Sequence, residues 1–148
     1  MNTYIVGGSC PGVVSGCTFF NFYSAASRKS EILEIGVFNR SALAINLKIC
    51  RSASTVGVTS TSFQGENLDP YNPSGSSLAR VGTAWTVAPA SGAAQPLLYI
   101  SHPNTAGYGT ILSFPPDEPL VVAACAGIQV NPLGAAGSPM NWYFKWRE

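Results

Sequence analysis

From Met140 to Arg147 the sequence alternates without a break. Met140, Trp142, Phe144 and Trp146 stand at one parity; Asn141, Tyr143, Lys145 and Arg147 stand at the other. A period of two sends successive side chains to opposite faces of a strand, so this segment predicts a strand with one strongly aromatic face. A face of two Trp and a Phe must be covered by another apolar layer, which makes the segment a core element.

The helical alternative is closed by interruption. No window of about 11 to 18 residues holds an apolar 3.6-residue period before one of the 15 Gly or 11 Pro breaks it. Strand signals recur instead. Cys17 to Ala25 is aromatic-rich, and Glu31 to Asn39 reads EILEIGVFN. Between Ala42 and Arg51, Leu43, Ile45, Leu47 and Ile49 share one face, and Ala44, Asn46, Lys48 and Cys50 share the other. Asn39-Arg40-Ser41 between these two segments reads as a tight hairpin turn. Further strands are expected over 80–87, 97–101, 108–114, 120–126, 128–130 and 140–148. That makes eight or nine short strands separated by Gly/Pro turns, the pattern of an all-β antiparallel sandwich or barrel.

The 148 residues fit one domain with one core, and no repeat or boundary divides them. Two parts stand apart within that domain. Residues 1–16 read as an extended N-terminal arm, and residues 52–79 read as a long loop rich in Ser, Thr, Gly, Asn and Pro. Loops of that length in compact domains are usually functional or bound to something. Charged residues make up only 10% of the chain, against about a quarter in ordinary soluble domains. Either the surface is built from Ser, Thr, Asn and Gly, or neighbours cover much of it.

The composition also removes function classes. Net charge is +1 and Arg28-Lys29 is the one basic pair, so direct nucleic-acid binding is not expected. The N-terminus has no basic region, and its apolar stretch is broken by Gly7, Gly8, Pro11 and Gly12, so neither a signal peptide nor a membrane span is expected there. The chain is expected to be made in a cytoplasm and held there until assembly. Cys10, Cys17, Cys50 and Cys125 lack paired-ligand spacing, and His102 is the sole histidine, so no zinc site and no cofactor is expected. Cys10 and Cys17 flank a Gly/Pro turn and are close enough in sequence to pair, although a cytosolic setting disfavours a disulfide. Cys50 and Cys125 read as small hydrophobes within strands.

Catalytic equipment is sparse. A Ser-His-Asp triad would have to use His102, and Gly7-Gly8-Ser9-Cys10 lacks the strand-turn-helix setting of a nucleophile elbow. Glu66 with Asp69, and Asp117 with Glu118, are the acidic pairs that a cation or a glycosidase would need, and both read as solvated turns. Glu34 lies in an apolar strand and needs a partner there, such as Lys48 or Arg51. No enzymatic activity is expected.

Four segments carry a family resemblance. Residues 27–54 (SRKSEILEIGVFNRSALAINLKICRSAS), 59–70 (TSTSFQGENLDP), 85–90 (WTVAPA) and 141–148 (NWYFKWRE) together resemble a group of small virion proteins of tailed bacteriophages. The shared features are an EIGVFN-x-SA strand pair, a Ser/Thr-rich loop with Q-x-E-N, a W-T-x-x-P segment and an aromatic closing strand. The resemblance implies a jelly-roll-like domain and a head decoration, or cement, protein on the outer capsid surface. It further implies a homotrimer clamping neighbouring major capsid proteins. It carries no active-site residues. The alternative is a glycan- or receptor-binding module of a tail or head fibre, using Tyr71, Trp85, Tyr99 and Tyr108 to stack on sugars. Expected interface residues are Tyr4, Ile5 and Val6, apolar within a Gly-rich arm, and Phe63, Gln64, Glu66 and Asn67 of the long loop.

Overall fold

The computed structural model describes residues 1–10, 20–52, 58–71, 73, 75, 77–85, 96–133 and 139–148, with 58–63 and 78–85 described through their backbone pairing. Among these residues there are twelve strands and no helix. They are β1 (Thr3–Cys10), β2 (Phe20–Tyr23), β3 (Ser30–Asn39), β4 (Ile45–Ser52), β5 (Val58–Gln64) and β6 (Glu66–Asn67). Then follow β7 (Leu78–Trp85), β8 (Leu98–His102), β9 (Gly109–Ser113), β10 (Leu120–Val122), β11 (Gly127–Pro132) and β12 (Met140–Arg147).

The strands form two antiparallel sheets, so the fold is an all-β sandwich. The first sheet runs β10-β3-β12-β1-β6, with β9 on the same edge of β3 as β10. The second runs β5-β7-β2-β11-β4-β8. The core is the interface between them. Met140, Trp142, Phe144 and Trp146 of β12 are all buried, as the alternation requires. They meet the aromatics of β2 across the gap. Phe20 stacks on Trp142 at 5.2 Å, and Phe22 meets Trp146 edge-on at 5.0 Å and Phe144 at 5.5 Å. Aromatic pairs at these distances add to the burial of roughly 150–250 Å² per ring. Ile45, Leu47 and Ile49 of β4 complete the second sheet's inner face.

Three expectations change. Residues 3–10 of the expected arm are β1, held between β12 on one side and β6 on the other. Within 52–79 lie β5 and β6, whose Ser/Thr-rich sequence hides a strand because hydroxyl side chains give no apolar alternation. Asn39 to Ser41 is a crossover between sheets, not a hairpin, since β3 and β4 belong to different layers. The Asn39 side chain builds this corner. Its Oδ1 accepts the Ser41 N–H at 3.0 Å, and its Nδ2 donates to the Leu43 carbonyl at 2.7 Å.

A bulge decides where Glu34 points. The β3–β12 register slips between Lys145 and Trp146, leaving Leu33 as the extra residue. Parity therefore flips: Ile32, Ile35 and Val37 are buried, while Glu34, Gly36 and Phe38 face outward. The partners of Glu34 are not Lys48 or Arg51, which lie on the other sheet. They are Lys145, whose Nζ is 2.7 Å from Oε1, and Tyr143, whose hydroxyl donates to Oε2 at 3.1 Å.

Candidate functional site

The two sides of the sandwich are built differently, and the difference locates the candidate surface. On one side the chain passes directly from β5 to β6 through Gly65, so a single segment joins the edges of both sheets. Trp146 lies against Gly65, and Tyr4 stacks on Trp146 at 5.7 Å. A Cβ on Gly65 would sit 2.0 Å from the Trp146 ring, so the close approach needs glycine.

The opposite side is open. There β8 ends the second sheet, and β9 and β10 end the first. Between them lies an apolar cleft of about 200 Å³ lined by Ile49, Leu97, Leu98, Leu112, Phe114 and Leu120. No charged side chain is among these residues. Polar ties bracket the cleft at its two ends. At one end His102 Nε2 and Thr110 Oγ1 share a hydrogen bond of 3.0 Å between β8 and β9. At the other, Arg51 Nη1 of β4 donates to the Val121 carbonyl of β10 at 2.7 Å. Leu97 and Leu98 of the lining are themselves exposed, and so is Tyr108 beside His102 at one end. On the flanking outer faces Tyr99 stands opposite Lys48, Ile111 opposite Gly36 and Val121 opposite Glu31, all three exposed. Such a group of exposed apolar residues is the mark of a contact surface.

Charge is concentrated elsewhere. The three ion pairs seen among the described residues all lie on the outer face of the first sheet: Lys29–Glu31, Arg147–Glu31 and Lys145–Glu34. The Arg147 hydrogen bond holds the Glu31 carboxyl below the usual range, and Lys145 does the same for Glu34. Burial, and the hydrogen bond to Glu34, raise the Tyr143 hydroxyl. That outer face carries the ion pairs, with Ile111 and Val121 exposed along its β9–β10 edge, whereas the cleft lining carries no charge.

The structure brings only some of the expected interface residues together. Tyr4 pairs with Asn67 and Ile5 with Glu66 across β1 and β6. Tyr4 and Val6, however, are 4% and 8% exposed and belong to the core, because alternation in β1 turns them inward. They are withdrawn as interface residues; Ile5 faces out. Gln64 Nε2 donates to the Gly75 carbonyl at 2.8 Å, and Asn67 Oδ1 accepts the Asp69 N–H at 3.0 Å. The backbone of Phe63 pairs with Ala79, while its side chain lies outside the described residues.

The chemical candidates stay apart. Asp69 Oδ1 accepts the Tyr71 N–H at 3.1 Å, which makes Asp69 a turn-forming residue. Asp117 and Glu118 sit in an exposed turn closed by the Glu118 N–H and the Pro115 carbonyl. Among the described residues no three His, Cys, Asp or Glu side chains come close enough to hold a metal. His102 ends β8 and is 2% exposed. Cys50 is buried in β4, where burial raises its thiol. Cys125 is exposed in a left-handed turn at φ 57°, not in a strand. Cys10 is buried at the end of β1, and its pairing with Cys17 lies outside the described residues. Tyr108 is exposed at the end of the cleft, Tyr99 on the outer face of β8 and Tyr71 in the turn after β6, and the Trp85 side chain lies outside the described residues.

The cleft was not anticipated. A signal for it existed in the doublets Leu97-Leu98 and Ile111-Leu112, since alternation turns one member of each pair away from the core. Comparison of the chain with family models, with curated proteins and with solved structures finds no match.

Proposed function

We propose that this chain is a structural virion protein of a tailed bacteriophage, a head decoration or cement protein that works by contact and not by chemistry. The observation that carries the reading is the open side: a charge-free apolar cleft whose lining residues Leu97 and Leu98 are exposed, with Tyr108 exposed at one end, on a chain otherwise poor in charge. Water gains nothing from such a surface, and a neighbouring subunit does. In this reading a homotrimer closes over the open sides around a shared axis, and the exposed turn at 67–71 is left to meet the major capsid protein. Many copies of a modest contact then stiffen a shell through avidity. The sequence resemblance supplies the setting, the outer surface of a phage head with a jelly-roll-like subunit. The protein would be made in the host cytoplasm and would need no cofactor and no active site.

The test compares heads assembled with and without the protein. Heads lacking it are expected to release their genome at lower temperature, and equal heat resistance would overturn the reading. A second reading, a glycan- or receptor-binding module of a fibre, is favoured by one observation: Tyr108 is exposed beside the cleft and Tyr99 on the outer face of the adjoining β8. Immunogold labelling of particles separates the two, the shell for the first and a fibre for the second.

A further inference from the structure

His102 is the sole histidine of the chain and occupies an unusual place. It closes β8 and pairs with Ile45 of β4, so its ring turns into the gap between the sheets. Nε2 is bonded to Thr110 of β9, the edge strand of the other sheet. The Tyr108 ring stands edge-on to it at 5.3 Å. Nδ1 is buried and has no hydrogen-bond partner. A neutral imidazole tolerates this, since one nitrogen can pair and the other can stay empty. A charged one does not, because both nitrogens then carry a proton and the buried charge needs a counter-charge.

No counter-charge is at hand. The elements around the ring are β4, β9, the 103–108 turn and the corner after β3. The sequence has no Asp or Glu between Glu34 and Glu66, nor between Asp69 and Asp117. Those two spans contain β4, β8, β9 and both connections. On β3 itself, Glu31 and Glu34 point to the outer face and are bound to Arg147 and Lys145. The basic groups of these elements are Arg40 in the corner, exposed; Lys48, on the opposite face of β4; and Arg51, engaged with Val121. The groups that do face the ring are Thr110 and the phenol of Tyr108.

We propose that His102 is an acid-released latch of the open side: neutral, it ties β8 to β9; once protonated, it must leave its site, and the β8–β9 corner opens onto the apolar cleft. Burial works in the same direction, lowering the histidine below the ordinary imidazole range. The native state therefore keeps the full contribution of the tie above the ordinary imidazole pKa, and loses it as pH falls from there through the lowered native value. The proposal does not rest on the proposed function.

The experiment is amide hydrogen exchange on the full chain at about pH 7.5 and about pH 5, corrected for intrinsic rates. Glu31 and Glu34 remain charged over this range because their partners hold them low. Wild type is expected to lose protection roughly tenfold in 98–102 and 108–113, with β1 and β12 unchanged. His102→Gln, which can still bond Thr110 but cannot titrate, is expected to show equal protection at both values. An equal loss in His102→Gln, or no loss in wild type, overturns the proposal. Should that variant not fold, the wild-type imidazole is titrated by NMR beside the Thr110 amide. A common midpoint supports the latch, and a ring that titrates without moving Thr110 overturns it.

Discussion

The two long sides of this sandwich enclose the same core by opposite means. The closed side joins the sheets through the chain itself at Gly65 and fills the junction with Trp146 and Tyr4. The open side leaves three strand edges unjoined and relies on aliphatic packing between two polar ties. The closed side serves stability: Tyr4, Phe22 and Trp146 are buried and interlocked there, and Leu68 and Tyr71 of the turn after β6 are exposed beside them. Among the described residues, the open side holds exposed apolar surface at Leu97, Leu98 and Tyr108. A contact surface has to be drawn from such a region, since buried aromatics cannot serve a partner without unfolding.

Substitutions on the two sides should therefore diverge sharply. The largest effect is expected for Trp146→Ala, which empties the closed side and should cost about 3–5 kcal/mol, read as a lower denaturant midpoint at constant slope. Gly65→Ala comes next. Its new Cβ would meet the Trp146 ring, which has no room to move, so about 1–3 kcal/mol is expected from chemical denaturation. Arg51→Met, removing one tie of the open side, should cost about 1 kcal/mol and raise exchange in β10 while leaving β1 protected. The smallest effect is expected for Leu98→Ala, below about 1 kcal/mol, because its side chain is already partly exposed. A Leu98→Ala cost as large as that of Trp146→Ala would erase the distinction between the sides.

Acid should act on a third region, the outer face of the first sheet. Glu31 and Glu34 are both held below the ordinary carboxylate range, by Arg147 and Lys145 respectively. A lowered native pKa contributes stability above the unfolded value, and that contribution is lost as pH falls through the native one. A Glu31→Gln, Glu34→Gln double variant should accordingly show a shallower loss of stability on acidification than wild type, read by circular dichroism. The pairs are partly exposed, so the gain at neutral pH from keeping them is small.

How much of this was legible in the sequence follows from side-chain chemistry. The β12 face could be read because Met, Trp, Phe and Trp alternate with polar residues, and packing honours that pattern. β4 was readable for the same reason. β5 and β6 were not, since Val58-Thr59-Ser60-Thr61-Ser62 presents nearly the same polarity on both faces. β1 does not read as a strand because Gly7 and Gly8 break its apolar stretch. In the sheet, Gly7 and Gly8 lie close against Tyr143 and Trp142 of β12. The Glu34 pairing failed through the bulge at Leu33, a one-residue slip that reverses every face beyond it. The apolar cleft was hardest to see, because it arises where β4, β8, β9 and β10 meet, and no local pattern records which strand edges end up on one side.

The central claim is that the open side is a contact surface, occupied in the first place by copies of the same chain. Sedimentation equilibrium on wild type and on a Leu98→Glu, Ile111→Glu variant tests it most directly, since Leu98 is an exposed residue of the cleft lining and Ile111 an exposed residue on the outer face of the adjoining β9. The account predicts a wild-type trimer and a folded, monomeric variant. A monomeric wild type, or a variant that still forms the trimer, would contradict it.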